Sequence, residues 1–368
     1  MSFTHGDRKS MKIKRLELSN FRNYESLCAD FSDNVNILYG DNAVGKTNIL
    51  EAIYMCATTR SQRQSKEKDM IRFGCEEAHL RMIAADEITE RRIDMQLSRS
   101  KAKGVALDGQ PLMRAGQLFG LLGIISFCPD DLSMIKAGPA ERRRFLDMEA
   151  SQLDRLYMHN LSSYNKVLAQ RNNLLKQVSL NKELLGTLDV WDEQLVEYGT
   201  YLIEKRAEFT QKLEEIAKPV HRAVSGEKED IRIVYAPDTS VRDFKDKLFF
   251  GRDRDIAATF TTVGPHRDDL EFEINGKNAR TFGSQGQQRT TALSMKLAEI
   301  ELVRQISGKA PILLLDDVLS ELDRNRQTQL LGFTQGVQTF ITCTGLEEFV
   351  MQRTGINKVF KVGEGKLL

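Results

Sequence analysis

"NVNILYGDNAVGKTNILEAIYMCA", residues 34 to 57, decides how the rest of the chain is read. Its opening is mostly apolar and reads as a strand, while its second half carries apolar residues at helical spacing, so a helix is expected from Lys46 to about Ala57. Between the two lies "GDNAVGKT", Gly40 to Thr47, with the G-x4-G-K-T spacing of a phosphate-binding loop in the strand-before, helix-after context that spacing requires. Glycines let successive backbone N–H groups curl around phosphate oxygens. Gly40, Asp41, Asn42, Ala43, Val44, Gly45, Lys46 and Thr47 are therefore the candidate nucleotide contacts. Lys46 is expected to reach the β and γ phosphates, and the Thr47 hydroxyl to hold Mg²⁺. The plain alternative is a glycine turn that opens a helix.

A phosphate loop of this kind needs a carboxylate on the metal side. "PILLLDDVLSELD", residues 311 to 323, supplies one, because an apolar run ending at Asp316 puts a carboxylate at the C-terminal edge of a core strand. Asp317 follows, where a second carboxylate polarises an attacking water, or is simply a solvated acid. A third stretch, "TFGSQGQQRT" at 281 to 290, opens a helix expected from Gly286 to about Ile306 with no acid before Glu299. Helix starts favour Asp or Glu because their free N–H groups carry partial positive charge, so this start suits an external phosphate. Lys46 lies far upstream, and the economical source of that phosphate is a second copy of the chain. Ser284 also qualifies as an ordinary cap of its own helix.

The remainder divides by pattern. "MKIKRLEL" (11–18) is a strand candidate, "EAHLRMIAAD", "ERRIDMQLSR" and "KGVALDGQPL" suggest an antiparallel meander, and "GIISFCP" (123–129) a buried strand. From about Ala140 to Val220 the periodicity is helical, with Leu188, Leu195, Leu202, Phe209 and Leu213 on one arm and Leu153, Leu156, Leu161, Tyr164 and Leu168 on the other. "IRIVYAP" and "DLEFEINGKNARTF", the latter with an Asn-Gly turn, return the chain to strands, and "VQTFITCT" is another. A chain of 368 residues, 41% hydrophobic and 29% charged, has room for two lobes, and a formal charge of +1 excludes a globally basic nucleic-acid binder. Five scattered cysteines without metal spacing point to a reduced, cytoplasmic protein without structural zinc. Residues 1 to 10 read as a flexible extension or a misassigned start, since strand-like sequence begins at Met11.

Phosphate loop, long helical insertion, "SQGQQR", then "LLLDD" with "SELD" together resemble the ABC-type ATPase head of SMC-like proteins. "LELSNFRNY" (16–24), "FCPDDLSMIKAGPAERRRFLD" (127–147), "TTVGPHRDDLEFEINGK" (261–277) and "SQGQQRTTALSMKLAEIEL" (284–302) narrow the resemblance to the RecF family of bacterial recombination mediators, over nearly everything from Met11 onward. The resemblance implies an α/β fold, an ABC-type P-loop head of mixed sheet and helices. Residues 11–130 and 230–368 together would form that discontinuous lobe, with residues 131–229 an inserted helical lobe. It also implies an ATP-dependent homodimer on DNA, slow ATP hydrolysis with Mg²⁺, and work with RecO and RecR in loading RecA at gaps. Ser284, Gly286 and Gln287 match the signature that closes on the partner's γ-phosphate. Asp316 and Asp317 match the strand-end pair, although the wider class carries Glu at the second place, and Asp323 matches the loop acid at the dimer interface. No histidine stands in "TFITCTG", so the switch role is empty or passes to Thr342 or Thr344. No clear glutamine precedes the helical lobe.

Arg22 and Asn23 fall where related heads contact nucleotide, or in a surface turn. His266 is read as structural. For DNA the candidates are Arg60, Arg63, Lys66 and Lys68, then Arg99, Lys101 and Lys103, then Arg142, Arg143 and Arg144; each is otherwise a solvated face, and the last a helix paired through Glu141 and Asp147. No pattern for reading base sequence occurs, so gaps and junctions are the expected targets. Two alternatives stand beside the repair ATPase: an ATP-switched scaffold with incidental hydrolysis, and a transporter ATPase subunit.

Overall fold

The structure, a computed structural model, describes residues 10–63, 65–178, 181–345 and 356–368. The extension expected over residues 1 to 10 lies outside them apart from Ser10, whose hydroxyl accepts from the Ala310 N–H at 2.6 Å. The chain divides into two compact units, Met1–Asp131 with Glu299–Leu368, and Leu132–Ala298.

In the first unit, β1 (Lys12–Phe21), β2 (Tyr24–Asp30), β4 (Glu77–Ala85), β5 (Glu90–Ser98), β6 (Gly104–Leu107) and β7 (Gln110–Pro111) make an antiparallel sheet in the order β2-β1-β4-β5-β6-β7. Its strands alternate, as one-sided sheets do: in β4, Ala78, Leu80, Met82 and Ala84 face the core. The second sheet holds β3 (Val35–Tyr39), β8 (Ile124–Phe127), β12 (Ile312–Asp316), β13 (Thr339–Cys343), β14 (Ile356–Gly363) and β15 (Lys366–Leu367), in the order β15-β14-β3-β13-β12-β8. All its pairings are parallel except β14 with β15. β8 and β12 are buried along their whole length, which is why they read as mostly apolar runs, broken only by Ser126 and by Asp316 at the end of β12. Helix α1 (Lys46–Thr58) packs on strands of both sheets and is buried nearly all round.

The second unit carries α2 (Pro139–Leu153), α3 (Arg155–Val178) and α4 (Leu188–Ser225), then β9 (Ile231–Ala236), α5 (Phe244–Phe250), α6 (Arg252–Ala258), β10 (Asp269–Ile274), β11 (Lys277–Asn278) and α7 (Ala279–Phe282). Helix α8 (Gln285–Ser307) takes the chain back into the first unit, where α9 (Arg324–Gly332) stands between β12 and β13 in sequence. Here two expectations change. The second boundary falls at 298/299, inside α8, and not at 229/230. The cause is that β9 packs on α4 and β10 on α2, so the β11-β10-β9 sheet belongs to the helical unit. On α3 the buried stripe is Tyr157, Tyr164, Val167, Arg171, Leu175 and Val178, while Leu156 is exposed. Arg171 can sit at its centre because Asp192 (2.6 Å) and Asp255 (2.7 Å) neutralise it and Thr261 accepts a further bond.

Arg206 on α4 is a second buried cation. It donates to Asp147 and Asp268, to the Pro265 carbonyl and to the Tyr157 hydroxyl. His266 joins the same region, with Nε2 donating to the Thr261 carbonyl (3.0 Å) and Nδ1 accepting from the Tyr164 hydroxyl (2.8 Å). Burial holds its imidazole below the usual range, so it is neutral and structural.

Candidate nucleotide site

Every part of the phosphate-binding face stands at the C-terminal edge of the parallel sheet, where loops can close around a ligand. The loop after β3 needs its glycines. Gly45 has φ 115° and Ala43 φ 65°, both left-handed, and a Cβ on Gly40 would lie 2.3 Å from the Val362 carbonyl of β14. A Cβ on Gly45 would come within 2.5 Å of the Asn23 side chain. The Lys46 ammonium folds over the loop onto the carbonyls of Gly40 (2.6 Å) and Asp41 (2.7 Å). Those are the contacts of a cation poised above a cradle of backbone, and phosphate oxygens suit them equally.

On the metal side, the Thr47 hydroxyl donates to Asp316 Oδ1 at 2.7 Å. Thr342 on β13 donates to the same oxygen at 2.9 Å and accepts the Asp317 N–H at 2.8 Å. Asp316 is thereby fixed between two hydroxyls, a donor set of hard oxygens that fits Mg²⁺. Asp317 is held in the left-handed region, φ 53°, uncommon outside glycine although aspartate tolerates it better than most side chains. Burial pushes its carboxyl above the usual range, with Asp316 and Glu321 adding to burial and Lys46 opposing it. Gly40 N–H bonds the Cys343 carbonyl, so Thr344, the next residue, is exposed beside the start of the loop, whereas Thr342 is buried.

Arg22 and Asn23 are placed differently from one another. Arg22, with φ 55°, turns its guanidinium onto Glu51 of α1 in two bonds of 2.9 Å, and onto the Ser65 hydroxyl and the Asp69 carbonyl. Asn23 braces the phosphate loop: its amide donates to the Val44 carbonyl and its oxygen accepts from Asn48, both at 2.8 Å. Tyr24 adds a bond to the Gly45 carbonyl at 3.0 Å. Neither Glu51 nor the β14–β15 hairpin stands out in the sequence. Glu51 does carry a signal, since a lone acid inside an apolar helical run demands a buried partner.

In the second unit, Ser284 caps α8 reciprocally. Its hydroxyl accepts from Gln287 N–H (3.2 Å) and Gln287 Oε1 accepts from Ser284 N–H (2.9 Å). Ser284 and Gln285 are exposed, Gly286 and Gln287 half-buried, and no acid occupies the first turn. Gln288 fastens the approach by donating to the carbonyls of Ala279 and Gly283. Asp323 caps α9. Burial alone would raise its carboxyl, but the Arg326 N–H and guanidinium outweigh that and hold it below the usual range.

Of the three basic clusters, the Arg142–Arg144 run is engaged within its own unit. Arg142 is buried and grips Asp269 with two bonds (2.7 and 2.8 Å), Arg143 donates to the Asp268 carbonyl, and Arg144 reaches Glu141. Asp147, expected to pair locally, serves Arg206 instead.

A profile for the RecF/RecN/SMC N terminal domain matches residues 12–366. The chain is 56% identical over 355 residues to the DNA replication and repair protein RecF of Lachnoclostridium phytofermentans, covering 96% of this chain and 99% of that one. The chain belongs to the RecF family. The Clostridium acetobutylicum RecF is 41% identical over 364 residues, covering 97% and 99% of the two chains. A solved structure described as the recombination mediator protein RecF-ATP in the RecFOR pathway superposes with a TM-score of 0.92 at 33% identity, covering 100% of this chain and 99% of that one. An Smc head from Pyrococcus furiosus, 17% identical with a TM-score of 0.57 and covering 97% and 96% of the chains, shares the fold. The expected ABC-type head is the observed architecture, and the chain belongs to an ATPase family with ATP-bound members.

Proposed function

We propose that this chain is an ATP-operated, DNA-binding switch of recombinational repair and replication restart, and a slow ATPase. The observation that carries the reading is the Thr47–Asp316–Thr342–Asp317 chain of bonds beside the glycine cradle and Lys46. Residues 40 to 47 wrap the phosphates, Lys46 moves from its two carbonyls to phosphate oxygens, and Thr47 with Asp316 holds Mg²⁺. Bound Mg²⁺ supplies charge neutralisation for the transferred phosphoryl group. Asp317 takes the proton of the attacking water, and a carboxyl with an elevated pKa suits that task. Asn23 acts on the nucleotide through the loop it braces, and Arg22 anchors the segment after α1.

Ser284, Gly286 and Gln287 of a second copy complete the site at the γ-phosphate. The ATP-held dimer binds DNA at gaps and junctions, and hydrolysis releases it. The exposed cations Arg60, Arg63, Lys66, Lys68 and Lys101 carry the phosphate contacts, because Arg142 and Arg143, like Arg99 and Lys103, are engaged internally. A relative described as a mediator in the RecFOR pathway supports RecO and RecR as partners, with RecA the protein loaded. Among the described residues no helix is long and apolar enough to cross a membrane, and the cytoplasm is the proposed location.

Sedimentation velocity with and without ATP–Mg²⁺ tests the dimer. Wild type should shift to a dimer with ATP, while Ser284→Arg stays monomeric yet still binds ATP. Identical behaviour of the two would leave Ser284 a cap alone and remove the shared site.

A further inference from the structure

The segment after α1 is stitched to two others into one surface. Ser61 donates to Glu51 (2.5 Å) and accepts the N–H groups of Arg63 and Ser65, so the segment winds around a hydroxyl plugged into a buried acid. Arg22 clamps the same acid and reaches Ser65 and the Asp69 carbonyl. From the loop between β5 and β6, the Lys103 ammonium donates to the Thr59 carbonyl (2.7 Å) and Glu67 (2.5 Å), and Arg99 Nε to the Cys75 carbonyl (2.8 Å). The two basic clusters are therefore one patch. Arg60, Arg63, Lys66, Lys68 and Lys101 are exposed on it and form no ion pair among the described residues, against the exposed acids Asp69 and Glu76.

Inside this patch is a turn with Phe73 at its corner. The Arg72 N–H bonds the Asn20 carbonyl (2.8 Å), the Cys75 N–H closes back on the Arg72 carbonyl (3.0 Å), and Gly74 sits at φ 81° with open space beside it. The phenyl ring is 98% exposed. Exposure alone carries nothing, since single apolar side chains are common on surfaces. Ile88 is nearly as exposed, but it is flanked by Asp86, Glu87 and Glu90. Phe73 has acids near it too, with Arg72 paired to Glu25 (3.2 Å) and Asp69 and Glu76 within four residues. Its turn is fixed, however, and is bonded through Arg99 to a segment that carries the unpaired Lys101.

We infer that Phe73 is a stacking platform for an unpaired DNA base, in a surface whose cations hold the phosphates of the adjoining strand. Cations bind duplex and single strand alike, because both present phosphates. A flat apolar ring gains only where a base has left its stack, so the pair of features favours the boundary between duplex and single strand over continuous duplex. The inference rests on the DNA-binding reading above and adds the residue that senses the boundary.

The test uses the full chain with ATP and Mg²⁺ and two labelled DNAs: a blunt duplex, and a gapped duplex with 2-aminopurine as its first unpaired base. Phe73→Ala should weaken gapped DNA about five-fold or more while blunt duplex changes by less than about two-fold. The 2-aminopurine should be quenched by wild type and by Phe73→Trp, and not by Phe73→Ala. Lys66→Glu with Lys68→Glu should weaken both DNAs. If wild type binds neither DNA, the DNA reading itself fails. If wild type binds both and the lysine variant binds both normally, DNA is held on another surface and the stacking role at this patch is overturned. If the lysine variant weakens both but Phe73→Ala binds both as wild type and quenching persists, the stacking role is overturned. A Phe73→Ala defect confined to a protein partner would overturn it too.

Discussion

One hydroxyl, that of Thr342, links the two carboxylates at the end of β12: it donates to Asp316 and accepts the backbone N–H of Asp317. Asp317 holds a left-handed conformation that costs about 1–3 kcal/mol in general, so something must over-determine it, and this bond is one such restraint. Thr342→Val keeps the shape and removes both bonds. ATP hydrolysis should fall about ten-fold, the equivalent of roughly 1.4 kcal/mol of misplaced carboxylates, with little change in ATP affinity. Thr342→Ser should restore it; equal loss in both variants would make the effect one of packing. Asp317→Asn should retain ATP binding and lose about 100-fold or more in turnover, the usual contribution of a general base. The Asp317 carboxyl sits above its ordinary range, so protonation stops it acting as a base at a higher pH than for a free aspartate. Turnover should accordingly decline as pH falls through that raised value, with the acid limb absent from the residual rate of the Asn variant. The phosphate loop and Asp316 were legible because their spacing is local. The bracing of Val44 by Asn23 was not, because it joins residues on separate elements, and no short window of sequence contains both partners.

At the scale of elements, the parallel strands and the long helices announced themselves through apolar runs and periodicity, which burial on both faces or along one stripe demands. β2, α5, α6 and the β14–β15 hairpin did not, because short amphipathic pieces hold their shape through contacts made elsewhere. The boundary inside α8 was hidden for a related reason: a strand sequence says that it pairs, not which unit it packs on. The helical unit also contains what pattern-reading handles worst, cations at core positions. Arg206 on α4 satisfies Asp147 and Asp268 together. Arg206→Met should therefore destabilise the unit by about 3–5 kcal/mol, as expected when buried acids lose their partner, and urea unfolding with fluorescence from Trp191 would read it. A change below about 1 kcal/mol would mean that the acids simply protonate or hydrate.

Over the whole molecule, charge is nearly balanced at +1, so any affinity for nucleic acid must come from a local patch. Lys66→Gln with Lys68→Gln should lower the slope of log affinity against log salt by about 0.9 for each phosphate left without its lysine, close to two in all on duplex. An unchanged slope would move DNA binding to another surface. The head itself is assembled from distant parts: β3 is flanked by β13 and β14, and the Val362 carbonyl lies against Gly40. Synthesis makes the phosphate loop about 300 residues before these flanking strands. A growing chain on the ribosome thus carries the loop's residues for a long stretch of elongation without the β13 and β14 neighbours that hold them in shape. Nucleotide capture becomes a late event, because the unfinished polypeptide lacks the neighbours that shape its phosphate loop.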